Sequence, residues 1–256
     1  MKQLKESLVH CIGMAPIMNN FDWLKINIER INEALERDRH LFDGSVQVIA
    51  PSITIENEDV INWERVLPCL ERIMRTCYKS EGSICEGSDK KLVQKLVHDT
   101  KHTSTIEHAA VISFRMIIDR GISHEIVRHR IAGHSQESTR YVDYVKKGGG
   151  QIIYPLHLIE RSEGEKVFWY TELAKAFKAY HSARNSFKWT PQEARTFLPT
   201  ATKTELITTF NFRSLRNFFS LRLPKSAHPD MRVIAESALA LTRNKIEIIY
   251  DDFNGM

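Results

Sequence analysis

Arg128-His129-Arg130-Ile131-Ala132-Gly133-His134-Ser135-Gln136-Glu137-Ser138-Thr139-Arg140-Tyr141 places three arginines, two histidines and a single acid within fourteen residues of a 256-residue chain. Arg128 and Arg130 stand two residues apart and Arg140 follows ten further on. Guanidinium groups held so close repel one another unless they share an anion, and their planar forks match phosphate or carboxylate oxygens. Ser135, Ser138 and Thr139 add hydroxyls and Gln136 adds both amide polarities, the equipment for a small polar ligand. The stretch therefore reads as an anion site for phosphate. The competing reading is a solvated basic face.

An apolar run, Ala109 to Ile118, leads into this stretch and reads as a buried strand. Between the two, Ile122, Ile126 and Val127 suggest a short helix that delivers Arg128. His124-Glu125-Ile126-Val127-Arg128-His129 superficially resembles a zinc-protease helix, but its histidines are five apart rather than four. That puts them about 140° out of alignment on a helix, so no metal site is read there. On the other side Lys146-Lys147-Gly148-Gly149-Gly150 makes a turn before a strand at Ile152, Ile153 and Tyr154.

Elsewhere the patterning is mostly helical. Phe21, Leu24, Ile28, Ile31 and Leu35 recur at helical spacing until Asp43-Gly44 ends the segment, whereas residues 1–18 show no assignable pattern. Val46, Val48 and Ile49 suggest a short strand. Further helices are expected from Val60 to Tyr78, from Asp89 to Asp99, from Glu163 to Lys188, from Ser214 to Arg222 and from Pro229 to Tyr250. Thr190-Pro191 is an N-cap followed by proline at the first helical position, opening a short helix that stops near Leu198-Pro199. Thr204 to Phe212 reads as a strand.

Composition narrows the function class. Hydrophobic content of 42% and charged content of 27% are ordinary for a soluble globular protein. The net charge of +4 suits an anionic small molecule and does not by itself argue for nucleic acid. Cys11, Cys69, Cys77 and Cys85 lack paired spacing, and none lies within forty residues of the arginine-rich stretch. No apolar run reaches the roughly 20 residues of a membrane span, and Met1 to Asn20 lacks a signal-peptide core. A cytoplasmic protein without membrane or nucleic-acid partner is expected.

Arg-His-Arg, seven residues, then Ser (Arg128, His129, Arg130, Ser138) resembles the signature of the flavin-dependent thymidylate synthases, and the similarity continues through Tyr141. Likeness extends to His102, Ser104, Glu107 and His108, to Ala194-Arg195-Thr196-Phe197-Leu198-Pro199, and to Asn211 through Arg222. It spans about His102 to Arg232, more weakly from Arg75 onward. The first 43 residues have no counterpart and are expected to form an N-terminal helical extension to a synthase domain at 44–256.

The resemblance implies an α/β (α+β) fold with a mixed sheet and flanking helices, assembled as a homotetramer whose sites draw on several subunits. It implies methylation of dUMP to dTMP with FAD as redox cofactor, methylenetetrahydrofolate as carbon donor and NADPH as reductant. FAD would be held by His102, Ser104, Arg128, His129, Arg130, Gln136, Asn211, Arg213 and Asn217. Glu125, Arg128, Gln136, Glu137, Ser138, Thr139, Arg140, Arg195 and Arg222 would hold the nucleotide. Arg222 would be catalytic, stabilising negative charge on the uracil ring. The absence of cysteine from either arginine cluster agrees with chemistry that uses no enzyme thiol. Three positions depart from the pattern: Gly133 where many members have Ser, Glu125 where some have Gln, and Gln136 where some have Glu. The last two change charge or hydrogen-bond polarity in the nucleotide pocket. Two other readings fit the same residues. An RNA- or nucleotide-binding module would want aromatics between the arginines, where only Tyr141 and Tyr144 are nearby. A flavin-binding reductase would keep flavin without responding to dUMP.

Overall fold

A computed structural model of the chain describes residues 22–253. Phe21, the segment before it and residues 254–256 lie outside the described residues. Two sheets organise the fold. The larger comprises β2 (Ser52–Ile55), β3 (Val111–Asp119), β4 (Gly133–Gln136) and β6 (Lys203–Asn211). Its strand order is β2-β3-β6-β4 and it is antiparallel throughout. The smaller pairs β1 (Gln47–Ile49) with β5 (Gln151–Ile153) in parallel, and a single bridge from Ile152 to Thr202 links the two sheets.

β3 and β6 form the spine, in register from Val111 opposite Asn211 to Asp119 opposite Lys203. Alternation along them is strict, because successive side chains of a strand point to opposite faces. Ile112, Phe114, Met116 and Ile118 on β3 and Thr204, Leu206, Thr208 and Phe210 on β6 are all buried. They pack against helices α2 (Val66–Tyr78), α7 (Phe212–Arg222) and α8 (Pro229–Ile246) in the main core. The opposite face is polar: Ser113 and Thr209 share a hydrogen bond of 2.7 Å, and Arg115 pairs with Glu56 and Glu205.

A second core lies under the smaller sheet. There α1 (Asp22–Asp38) contributes Ile31, Ala34 and Leu35, and α5 (Glu163–Asn185) contributes Tyr170 and Phe177. Beside them the buried carboxylate of Asp38, 3% exposed, meets Lys166 Nζ at 2.8 Å, the Tyr154 hydroxyl at 2.6 Å and Arg37 Nε at 2.9 Å. Burial acts to raise the Asp38 pKa, but these donors outweigh it and hold the carboxyl well below the ordinary range. Gly150 is required at its position, since a Cβ there would lie 1.8 Å from Phe177 Cε1. No described helix is long and apolar enough to cross a membrane.

Most expected elements are present with shifted ends. The helix expected from Val60 begins at Val66, after a 3-10 turn at Trp63–Arg65. Pro68 explains the shift: its ring excludes a helical carbonyl four residues earlier, so it is tolerated only in the first turn. Helix α3 (Ser88–Gln94) closes with a π-helical turn at Lys95–Asp99. The helix expected to reach Lys188 ends instead at Asn185, and Thr190 caps helix α6 (Pro191–Ala194) through a capping box with Glu193. The last helix stops at Ile246 and passes into 3-10 turns rather than running to Tyr250. Strand β2 is additional to the expected elements, although its Ile53, Thr54 and Ile55 are all β-branched, and β4 carries no strand signal of its own. β4 lies inside the arginine-rich stretch, where polar residues pair with β6 instead of alternating with apolar ones.

Candidate functional site

The spine delivers two helices directly from strand ends. Asp119 ends β3 and caps α4 (Arg120–Ile126), accepting from Ile122 N at 2.8 Å. Asn211 ends β6 and caps α7, accepting from Ser214 N at 2.7 Å. Because β3 and β6 are antiparallel, these helices start at opposite ends of the sheet. The eleven residues of α7 run about 16 Å back over it, bringing the last helical residue, Arg222, to the end of α4.

Arg222 is held there by three acceptors. Its Nε donates to His129 Nε2 at 3.0 Å, NH1 to the Glu125 carboxylate at 2.6 Å, and NH2 to the Glu125 carbonyl at 3.1 Å. The cation sits at the C-terminal ends of both α7 and α4, where helix dipoles favour positive charge. His129 is 9% exposed and packs edge-on against Phe218, ring centroids 5.0 Å apart. Its carbonyl meets the imidazole of His134 at 3.1 Å. Burial first, then the neighbouring Arg222 and His134, push the His129 pKa down from 6.5 to about 4. The ring is therefore neutral near pH 7, with its proton on Nδ1 and the Nε2 lone pair accepting from Arg222.

Beside this triad opens a cleft of about 610 Å³. Arg128, His129, Arg130, Asn211, Arg213, Asn217 and Arg222 line it, seven of the residues singled out in the sequence. Arg128 and Arg130 are exposed, while Arg213 pairs with Glu107 at 2.6 Å. Glu107, Ile131, Ser214 and Leu221 complete the wall; they were not singled out as ligand-binding residues. The strand register carried the signal for Glu107. Val111 opposite Asn211 brings the residues just before β3 beside those just after β6.

Other expected site residues lie outside this cleft. His102 is exposed and its Nδ1 lies 2.9 Å from the Tyr78 hydroxyl, and Ser104 is exposed on the turn Thr103–Glu107. Gln136 turns towards α4 and β6, where its amide donates to Ser123 Oγ at 2.8 Å and Thr204 Oγ1 at 3.2 Å. Glu137 accepts from Tyr144 at 2.9 Å and Lys203 at 2.8 Å, so both carboxylate oxygens are engaged. Ser138 Oγ accepts from Arg140 N at 3.3 Å, and Thr139 is buried. Arg140 is exposed and donates to Gln192 at 2.8 Å, one turn before the exposed Arg195. A single chain thus presents two cationic groups, the cleft around Arg222 and the exposed pair Arg140 and Arg195.

The donor chemistry of the cleft fits a phosphate-bearing, heterocyclic cofactor: guanidinium forks for phosphate oxygens, and the amides of Asn211 and Asn217 for the polar edge of a ring.

Comparison with known proteins points the same way. The family model described as thymidylate synthase complementing protein matches residues 64–246. A flavin-dependent thymidylate synthase of Geobacter sulfurreducens is 30% identical over 183 residues, covering 70% of this chain and 78% of that protein. One from Campylobacter jejuni is 31% identical over 183 residues, covering 69% and 87%. Among solved structures, thymidylate synthase X of Helicobacter pylori with FAD and dUMP superposes with a TM-score of 0.60 at 23% identity, over 74% of this chain and 95% of that one. The UMP/dUMP methylase PolB of Streptomyces cacaoi bound with 5-Br dUMP gives 0.65 at 19% identity, over 81% and 97%. At these identities the solved structures establish a shared fold. The matched segment is the one that builds the β3–β6 spine and both cationic groups, and the chain belongs to the flavin-dependent thymidylate synthase (ThyX) family.

Proposed function

We propose that this protein methylates dUMP to dTMP. The hydrogen on C5 of the pyrimidine is replaced by a methyl group, with methylenetetrahydrofolate giving the carbon and NADPH the two reducing electrons. The gathering of Arg128, His129, Arg130, Asn211, Arg213, Asn217 and Arg222 around one cleft carries this reading. FAD, when bound, supplies hydride transfer. Arg128, Arg130 and Arg213 would hold its phosphates, with Asn211 and Asn217 at its ring. None of the residues lining the cleft is a cysteine, which supports a route without an enzyme thiol.

The chain's own work is positioning and electrostatics. Arg222 uses three of its five N–H groups on protein acceptors and keeps one on each terminal nitrogen for a ligand. A pyrimidine carbonyl against those two would be stabilised as negative charge builds on it, which makes C5 more nucleophilic. Ser138, Thr139, Arg140 and Arg195 would hold sugar and phosphate, with Glu137 fixing the segment through Lys203. Because the Arg140–Arg195 group lies outside the Arg222 cleft, the complete site is assigned to a homotetramer in which a second copy brings it to the cleft mouth. D2 symmetry is the common arrangement for four copies.

The visible absorption spectrum with and without dUMP tests the reading. Bound flavin whose spectrum shifts on adding dUMP, followed by formation of dTMP, is the expected result. A protein that takes up no FAD overturns it, and flavin binding without any response to dUMP would favour a reductase.

A further inference from the structure

The Arg222 guanidinium is fixed more completely than a ligand-binding arginine requires. The Glu125 carboxylate, the Glu125 carbonyl and the His129 ring nitrogen each take a different N–H, and these acceptors lie 97 and 93 residues away in the chain. Three bonds to three nitrogens define both the plane and the rotation of the group. The side chain is only 20% exposed and that of Glu125 32%. Among the described residues the second carboxylate oxygen of Glu125 has no hydrogen bond, so the carboxylate is not shared with another partner. His129 cannot turn away, since Phe218 and Phe210 pack against its ring.

We infer that Glu125 and His129 are positioning residues for Arg222, a carboxylate and a neutral imidazole that aim its two remaining N–H groups into the cleft. This rests on the synthase reading above and deepens it. Glu125 and His129 then act on the reaction through Arg222 and need not touch the pyrimidine. A carboxylate forms a shorter, stronger bond to guanidinium than an amide does, but an amide oxygen at the same place accepts the same N–H. Conservative replacement should therefore rescue what truncation removes. A misaimed charge-stabilising group lowers kcat, whereas a lost ligand contact raises KM.

The experiment compares Glu125→Ala, Glu125→Gln, His129→Phe and His129→Gln in the FAD-loaded enzyme. Truncation at Glu125 and His129→Phe are expected to lower kcat on the order of 100-fold, with flavin content within about threefold of the parent for Glu125→Ala and KM for dUMP within about threefold for His129→Phe. Glu125→Gln and His129→Gln should recover most of the lost kcat. Equal losses in the truncated and conservative variants overturn the inference, as does a rise in KM at unchanged kcat, which would put Glu125 on the nucleotide. A second measurement does not depend on turnover. In protein labelled with 15N-histidine, the His129 Nε2 resonance should be that of an unprotonated, hydrogen-bonded nitrogen at pH 7 and should shift in Arg222→Lys. A protonated Nε2 at that pH overturns the triad. If the parent enzyme neither binds flavin nor forms dTMP while the nitrogen signal behaves as expected, the synthase reading fails and the triad stands.

Discussion

Two charged clusters of this molecule contain the same kinds of group and do opposite things. Around Asp38, a buried carboxylate is surrounded by Lys166, Arg37 and the Tyr154 hydroxyl, and its acceptors are taken up. Around Arg222, a half-buried cation is gripped by Glu125 and His129, yet two of its N–H groups remain beside a cleft of about 610 Å³. The first is a closed network that joins α1 to α5 and to the residue following β5. The second is left open towards a ligand. Charge density does not distinguish them; spare hydrogen-bonding capacity beside a cleft does.

The largest expected effect tests the open cluster. Arg222→Ala should lower kcat by at least about 1000-fold while FAD affinity changes by less than about fivefold. Steady-state kinetics alongside flavin titration checks this, and parallel losses of both would erase the distinction between catalytic and binding arginines. The closed cluster should respond in stability instead. Asp38→Ala leaves Lys166 buried without its partner and should destabilise the fold by about 3–5 kcal/mol in urea unfolding. The double change Asp38→Leu with Lys166→Met should recover much of that loss. A kcat that fell with Asp38→Ala in fully folded protein would break the comparison.

Acid separates the two clusters by window. His129 has its pKa lowered from 6.5 to about 4, so the unfolded chain binds more protons than the folded one between those values. Its contribution is present above pH 6.5 and is lost as pH falls to about 4, amounting to at most ~3 kcal/mol. Arg222 and His134 are the charged and titratable groups acting on it. Asp38 has a pKa below its ordinary 3.8, so its contribution holds above that value and is lost only as pH falls further. Unfolding measured against pH should show two steps, and His129→Gln should flatten only the upper one. The smallest effect lies within the cleft wall. Glu107→Gln should change stability by less than about 0.5 kcal/mol, since the Glu107–Arg213 pair is exposed. Freed from its partner, Arg213 should bind FAD slightly more tightly, by up to about fivefold, readable in a flavin titration.

Much of the secondary structure was legible because its causes are local. Thr190-Pro191 opens a helix through a cap and a fixed φ, and the β-branched and aromatic residues of Thr204 to Phe212 favour a strand, found at Lys203–Asn211, whichever partner it meets. Strand β4 was not legible, since His134 and Gln136 take polar partners, Thr208, Ser123 and Thr204, where an ordinary strand would bury apolar side chains. Gln136 in particular reads from the sequence as a ligand contact and in this chain holds β4 to α4 and β6. Glu107 as a cleft residue depended on a strand register that pairs residues a hundred apart.

The sequence by itself determined the main helical stretches, the Thr190 cap and, through the resemblance carried by Arg128 to Tyr141 and Asn211 to Arg222, the family and its fold class. These follow from propensities, periodicities and spacings that act within a few residues. Only the tertiary structure decided which arginine is gripped and which is exposed, that His129 is buried and neutral, and that Arg222 meets Glu125 at the ends of two helices. Such pairings join residues 93 to 97 positions apart. They are set by how the helices lie on the sheet, which no local pattern encodes.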